Sequence, residues 1–187
     1  SPEVLKQITD DPEKLKLGGE EKIVTVVFSD IKDSTTIGES LSAHSLVSLL
    51  NEYFSAMSEI IIKNGGTVDK FEGDAIMAVF GAPLDDPNHA ALACRAALEM
   101  QSKLKTMREK WKKEGRPELH ARVGINSGPV VAGNVGSKDR FDYTVMGDTV
   151  NLGSRLEQAN KEYNTEIMVG KNTYDLVQGS LFKDMFH

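Results

Sequence analysis

The sequence predicts an α+β domain: a ferredoxin-like split β-α-β core whose central, largely antiparallel sheet is flanked by helices. The predicted elements follow the order strand, helix, strand, strand, helix, strand, which is typical of this motif. Only the residues Glu-Gly-Asp separate the second and third strands, a spacing that indicates a hairpin. Third, apolar residues recur every three or four positions in long segments that are otherwise polar, a pattern that predicts amphipathic helices.

The first half of the chain predicts a strand, a polar loop, a helix and a hairpin. The strand is β-branched and apolar until it ends at Asp30, and the helix ends at an Asn-Gly-Gly sequence that suits a left-handed closing turn. The predicted limits are 22–30 for the strand, 31–40 for the loop, 42–63 for the helix, and 67–71 and 75–80 for the hairpin strands.

The second half predicts two further helices, several strands and a short closing helix. Asp86 is the expected N-cap of the first helix, with Pro87 as its first residue, and Asp148 is the expected cap of the second. The predicted limits are 86–113, 148–160 and 171–178 for the helices, and 119–126, 128–136, 141–147 and 166–170 for the strands.

Composition narrows the functional class. The 187 residues carry a net charge of −6, which argues against a nucleic-acid-binding surface. The single cysteine, Cys94, rules out a disulfide within the chain and suits a reducing compartment, so we expect a cytoplasmic domain. No apolar run is long enough to span a membrane.

The ends of the chain suggest a piece of a longer protein. The chain begins with Ser1 rather than Met, and residues 1–21 are polar and include "DDPEKLKLGGEE". We therefore expect residues 1–21 to be a connector and residues 22–187 to be the domain itself. Membrane attachment would come only through regions outside this sequence.

Two aspartates stand where strands end. Asp30 follows the first strand and Asp74 lies in the hairpin turn, so neighbouring strands would bring the two carboxylates together. A bare pair of anions is unfavourable, but oxygen ligands of this kind suit Mg²⁺ or Mn²⁺. The alternative is that Asp30 is a loop cap and Asp74 a turn former.

Polar residues on the helix predicted at 148–160 form another candidate set. Asn151 and Arg155 lie four residues apart and share a helix face near its N-terminus, where anions are favoured. Arg155 can bind phosphate oxygens through two parallel hydrogen bonds. Equally, Asn151 could cap the helix and Arg155 could pair with a surface carboxylate. Lys70 and Thr144 indicate nothing decisive alone, since Lys70 could donate to a ligand or point into solvent.

Four motifs together give a more specific answer. They are "VTVVFSDIKDST", "DKFEGDAIMAVFGAP", "RVGINSGPVVAGNVGS" and "YTVMGDTVNLGSRLE". In this order and spacing the sequence resembles the catalytic domain of class III nucleotidyl cyclases, of the adenylate cyclase type. The resemblance runs from about Lys22 to the end of the chain, and it implies the fold of that family.

The resemblance assigns roles to seven residues. Asp30 and Asp74 match the metal-binding aspartates of the family, and the backbone carbonyl of Ile31 also reaches a metal there. The adenine-reading pair is matched by Lys70 and Thr144, where guanylate cyclases typically carry Glu and Cys. The pair that stabilises the transition state is matched by Asn151 and Arg155.

The resemblance also implies an activity and its partners. The expected reaction converts ATP to 3′,5′-cyclic AMP and pyrophosphate with two divalent ions, Mg²⁺ or Mn²⁺, at the interface of a head-to-tail homodimer. We also expect an upstream sensor region in the full-length protein. Family members usually add a strand pair after the last helix, so this chain is expected to lack its last C-terminal strands. A catalytically silent nucleotide-binding or dimerisation module and a guanylate cyclase are the alternatives.

Overall fold

The computed structural model describes residues 18–137 and 139–178, which form six strands and five helices. The strands are β1 (Gly18–Ile31), β2 (Thr67–Glu72), β3 (Ala75–Phe80), β4 (Ala121–Gly136), β5 (Phe141–Met146) and β6 (Ile167–Val169). The helices are α1 (Ser34–Ser40), α2 (Ala43–Lys63), α3 (His89–Lys113), α4 (Asp148–Tyr163) and α5 (Lys171–Gln178). Of the connector predicted for residues 1–21, residues 1–17 lie outside this description, as do the residues after Gln178.

The strands form one mixed sheet in the order β2-β3-β1-β4-β5, with β6 also paired to β4. Every pairing is antiparallel except that of β6 with β4. Two strand-helix-strand units, β1-α2-β2 (with α1 inserted) and β3-α3-β4, interleave so that β1 and β4 are central neighbours. The predicted α+β fold with a split β-α-β core and a largely antiparallel sheet is therefore confirmed.

Side chains alternate between two apolar layers on opposite faces of the sheet. On one face, Val27 and Ile31 of β1 pack with α2 and α3, and Tyr53 and Trp111 from those helices are fully buried. On the other face, the neighbouring β1 residues such as Val26 pack with β4 and β5 beneath α4. Within the described residues, none of the helices has the length and apolarity needed to cross a bilayer.

Three predicted features at the start of elements are wrong. The stretch predicted as loop contains α1, because Ile37 packs against the main core and gives the polar segment an apolar anchor. Helix α3 begins at His89 rather than Asp86, whose carboxylate instead accepts from the Asn88 backbone N–H (2.8 Å) in a local turn. Helix α4 has Gly147 as its N-cap, so Asp148 is its first residue.

The strands predicted at 119–126 and 128–136 are one continuous strand, β4. Pairing with β1 runs unbroken from Gly18 opposite Asn134 to Ile31 opposite Ala121. For the same reason β1 begins at Gly18, four residues before the predicted start. The glycine that suggested a break, Gly128, instead makes room for a helix, since a Cβ there would lie 2.7 Å from Thr149 Oγ1.

Helix α4 packs so closely against the sheet that its backbone contacts the backbone of β4. A Cβ on Gly124 of β4 would lie 2.2 Å from the Glu157 backbone nitrogen, and one on Gly153 of α4 would lie 2.7 Å from Val26 Cγ2. Both positions therefore exclude any side chain. This close approach fixes the height of α4 above the sheet and, with it, the positions of Asn151 and Arg155.

We expect Gly124→Ala to destabilise the domain by about 2 kcal/mol or more, because the new methyl group meets backbone that cannot move aside. Thermal denaturation should show a Tm lowered by several degrees. Gly38→Ala in α1 is the matched control: its nearest neighbour is Leu46 Cδ2 at 3.5 Å, an ordinary contact, so its Tm should be unchanged or higher. Equal Tm values for the two variants would contradict this account of the α4 contact.

Candidate active site

The two outermost strands of the sheet order contact each other. Strands β2 and β5 are the outermost strands of the sheet order, yet Thr144 Oγ1 of β5 lies 2.6 Å from Asp69 Oδ2 of β2. Strand twist curls the sheet around the smaller apolar layer, where Val79 and Val145 are buried. The curl brings residues from distant parts of the sequence to one place.

A β-bulge in β2 turns two consecutive side chains toward β5. Val68 is opposite Ala78 and Lys70 is opposite Met77, so Asp69 is an extra residue without a partner in β3. Bulges of this kind redirect side chains and are frequent beside functional sites. Here Asp69 and Lys70, which alternation would place on opposite faces, both reach the same hydroxyl group.

The predicted base-reading residues are in contact. Lys70 Nζ donates to Thr144 Oγ1 at 3.4 Å, and the Thr144 hydroxyl donates to Asp69 Oδ2 at 2.6 Å. Lys70 Nζ is also 3.7 Å from Asp69 Oδ1, with the Lys70 side chain 38% exposed and that of Asp69 only 3%. Burial raises the pKa of Asp69, and the Thr144 hydrogen bond and the Lys70 charge oppose that rise.

A pocket of about 250 Å³ lies beside this set. Asp69 and Thr144 line its polar side, and Val68, Pro83 and Tyr143 are among its other walls. A mixed lining of this kind, apolar walls with a few convergent polar groups, is typical of a small-molecule site.

The two predicted metal-binding aspartates also meet. Strands β1 and β3 are antiparallel neighbours with Ser29 opposite Ile76, so the end of β1 lies beside the hairpin turn that carries Asp74. Gly73 takes the left-handed conformation that this turn requires, with φ 64°. Burial, then a hydrogen bond with Asp74 and repulsion from its charge, raise the pKa of Asp30 to about 7.

An ion pair that the sequence analysis did not identify flanks the carboxylates. Arg122 lies opposite Asp30 in the β1–β4 register, 3.8 Å from its carboxylate, and its Nε is 3.3 Å from Glu157 Oε1 of α4. The alignment of that Nε and Oε1 falls short of a hydrogen bond, so the attraction is mainly electrostatic. Burial raises the pKa of Glu157, and Arg122 opposes the rise.

The carboxylate pair fits a divalent cation. Asp74 Oδ2 is buried and has no hydrogen-bond partner among the described residues, and a cation would satisfy it while removing the repulsion with Asp30. The described residues contain no group of three or more His, Cys, Asp and Glu side chains arranged to hold a metal. Mg²⁺ commonly uses one or two carboxylates and completes its shell with water and substrate phosphates, so two are sufficient.

The remaining predicted residues lie at the end of β1 (Ile31) and on α4 (Asn151 and Arg155). Ile31 is the last residue of β1, and its side chain is buried in the main core, so only its backbone is available to a ligand. Asn151 and Arg155 are exposed on α4, one turn apart. Gly147 is the N-cap without a side-chain bond, and Arg155 has no ion pair within residues 18–137 and 139–178, so neither alternative role for the pair is seen.

Comparison with known proteins identifies the family of this chain. A family model described as the adenylate and guanylate cyclase catalytic domain matches residues 19–186. The chain belongs to this cyclase family. Its resemblance to class III cyclases, predicted from four motifs, is therefore confirmed.

Relatives of the cyclase domain include enzymes named for each nucleotide. "Adenylate cyclase 1" of Rhizobium meliloti (strain 1021) is 44% identical over 145 residues, which cover 78% of this chain and 22% of that protein. The structure of the adenylyl cyclase CyaB from P. aeruginosa is 40% identical with a TM-score of 0.81, covering 87% of this chain and 84% of that one. The guanylyl cyclase Cya2 is 36% identical with a TM-score of 0.79, covering 86% and 80%. The chain spans about a fifth of the Rhizobium protein's length.

Three charged residues of the candidate site were not predicted from the sequence: Asp69, Arg122 and Glu157. Each had a weak signal. Arg122 is the only Lys, Arg, Asp or Glu residue of β4, Glu157 lies two residues beyond Arg155, and Asp69 precedes Lys70 in a short strand. Their roles depend on strand register and on the bulge, which residue spacing does not reveal.

We expect Asp30→Asn to stabilise the metal-free domain at about pH 8. The folded pKa of Asp30, about 7, lies above its ordinary value of 3.8, so ionising Asp30 costs stability above pH 7 and nothing below the unfolded pKa. The gain over the parent should therefore shrink as pH falls from about 8 to about 4, measured as Tm in EDTA. Glu59→Gln, on the exposed face of α2, should show no such trend. A difference independent of pH would contradict the prediction.

Proposed function

We propose that this domain is an adenylate cyclase that converts ATP to 3′,5′-cyclic AMP and pyrophosphate at the interface of a homodimer. The observation that carries the proposal is the contact of Lys70 with Thr144, at 3.4 Å, beside a pocket. Family membership restricts the substrate to a purine nucleoside triphosphate, and this contact distinguishes the two purines.

The polarity of the pair matches adenine. Adenine offers a ring-nitrogen acceptor at N1 and an amino donor at C6, whereas guanine offers the reverse, an N1–H donor and an O6 acceptor. Lys70 can only donate, and so it suits the adenine N1. Thr144 keeps a lone pair that can accept from the amino group. A guanine ring would bring two donors together at Lys70, which is costly in a partly desolvated site.

The carboxylates would serve the triphosphate end of the substrate. Asp30 and Asp74, with the Ile31 carbonyl, would hold two divalent cations, Mg²⁺ or Mn²⁺. When bound, such ions lower the pKa of an attacking hydroxyl and stabilise charge on phosphate oxygens. Arg122 already offsets part of the negative charge of Asp30, 3.8 Å away, which limits repulsion of the incoming polyphosphate.

The α4 residues would act at the reacting centre. Asn151 would orient the ribose so that its 3′-hydroxyl faces the α-phosphate, and Arg155 would meet the charge that develops there. Such help is effective only if the donors are fixed in advance. The close packing of α4 through Gly124 and Gly153 supplies that rigidity.

An exposed apolar strip supports the homodimer. Val131 of β4 pairs across strands with Met146 of β5, and Pro129 pairs with Ile23 of β1, so these four side chains lie on one face. Ile23 is 57%, Met146 53% and Val131 49% exposed. A contiguous apolar surface of this kind indicates a protein interface, and a second copy of the chain would cover it.

The head-to-tail arrangement would let each site draw on two chains, with Asp30 and Asp74 from one and Lys70 and Thr144 from the other. ATP, the second copy and an upstream sensor region are the partners that we propose, in the cytoplasm. A silent nucleotide-binding module is disfavoured because Asp74 Oδ2 is buried without a hydrogen-bond partner in the described structure, which costs stability unless a ligand uses it. A guanylate cyclase is disfavoured by Lys70.

We expect Lys70→Ala to lower kcat/KM for ATP by about 100-fold, since a charged hydrogen bond to the base is lost. The parent should cyclise ATP far better than GTP, and the variant should lose most of that preference. Lys63→Ala is a matched control, because Lys63 is an exposed lysine whose partner is Glu99 at 3.4 Å. A parent that prefers GTP, or a Lys70→Ala variant that keeps its selectivity, would contradict the proposal.

A further inference from the structure

The hydroxyl group of Thr144 uses its only proton in a hydrogen bond to Asp69. Asp69 Oδ2 lies 2.6 Å away, and an ionised carboxylate can only accept, so the hydroxyl must donate to it. Lys70 Nζ, at 3.4 Å, can only donate and occupies one lone pair of the same oxygen. Toward a ligand, Thr144 is left with one lone pair and no proton.

The Asp69 side chain faces Thr144 and is almost entirely shielded from solvent. Its side chain is 3% exposed, and the bulge between Val68 and Lys70 is what points it at β5. Asp69 Oδ2 accepts a hydrogen bond from the Thr144 hydroxyl, and Oδ1, which has no hydrogen-bond partner among the described residues, lies 3.7 Å from the compensating charge of Lys70 Nζ. These contacts lie within one chain, so the polarity of the hydroxyl does not depend on the nucleotide.

We infer that Asp69 is a positioning residue that fixes Thr144 as a hydrogen-bond acceptor and thereby makes the site require a donor at C6 of the purine. The inference rests on the proposed function, because it concerns how that site selects its base. Lys70 then tests N1 for an acceptor, and the pair Asp69 and Thr144 tests C6 for a donor. Selectivity thus depends on three residues, one of which never touches the nucleotide.

The charge of Asp69 is essential to this role. Two carboxylate oxygens can serve Thr144 and Lys70 at once, whereas an amide has a single acceptor oxygen. In Asp69→Asn the Lys70 cation would take that oxygen, and the amide N–H would donate to Thr144. The Thr144 proton would then be free to turn toward the ligand.

A suitable probe changes one atom of the base edge. The triphosphate of 6-methoxypurine riboside keeps the N1 acceptor for Lys70 but replaces the amino donor at C6 with an ether oxygen, which can only accept. The parent should discriminate strongly against it. Any steric effect of the methyl group is common to parent and variants, so it cancels when their selectivity ratios are compared.

The experiment measures kcat/KM for ATP and for the 6-methoxy analogue in the parent, Asp69→Asn and Asp69→Leu. We expect the ratio of kcat/KM for ATP to kcat/KM for the analogue to fall by about tenfold in both variants. This is the contribution of one hydrogen bond, because the Thr144 hydroxyl becomes free to donate as well as to accept. Thr144→Val added to Asp69→Asn should lower the ratio no further, because the effect acts through that hydroxyl. Glu59→Gln, which removes one negative charge from the exposed face of α2, should leave the ratio unchanged.

Two results would overturn the inference, and they differ from each other. If the parent cyclises ATP and the isosteric Asp69→Asn variant, folded by thermal denaturation, keeps the parent's ratio, Asp69 does not set the polarity of Thr144. If the parent cyclises GTP in preference to ATP, the proposed function fails and the inference fails with it.

Discussion

The long pairing of β1 with β4 is the constraint on which the rest of the structure depends. It runs from Gly18 opposite Asn134 to Ile31 opposite Ala121, and each end of it carries part of the site. At one end Asp30 lies opposite Arg122 beside the hairpin turn; beyond the other, β5 continues the sheet and curls back to β2. A slip of one residue in this register would move every one of these side chains to the wrong face.

Negative charge is concentrated at the site and only partly compensated within the domain. Asp30, Asp74 and Glu157 interact with one another, and Arg122 is the cation that lies among them. The cost of this arrangement is seen in the raised pKa of Asp30 and in the buried Asp74 Oδ2, which has no hydrogen-bond partner within residues 18–137 and 139–178. Sites retain strain of this kind when a ligand relieves it, and divalent cations with a triphosphate are the ligands that suit two carboxylates.

The sequence predicted the fold class well because apolar periodicity, the Glu-Gly-Asp turn and glycine punctuation are local signals. It also placed Asp30 with Asp74, since both positions follow from strand ends. It failed where long-range packing overrides local preference: Gly128 suggested a break, but pairing with β1 carries the strand through it. Asp69 was missed because its role depends on a bulge and on β5, which is distant in sequence.

The central claim is that each active site takes Asp30 from one chain and Lys70 from the other, and mixing two inactive variants tests it most directly. Asp30→Ala and Lys70→Ala should each be nearly inactive with ATP and Mn²⁺, because each variant damages both sites of its own homodimer. An equal mixture should regain about a quarter of the parent's cyclic AMP formation, since half of the dimers would be mixed and each would carry one intact site. An active parent with a mixture that stays inactive, although differently tagged chains are shown to exchange, would contradict the account.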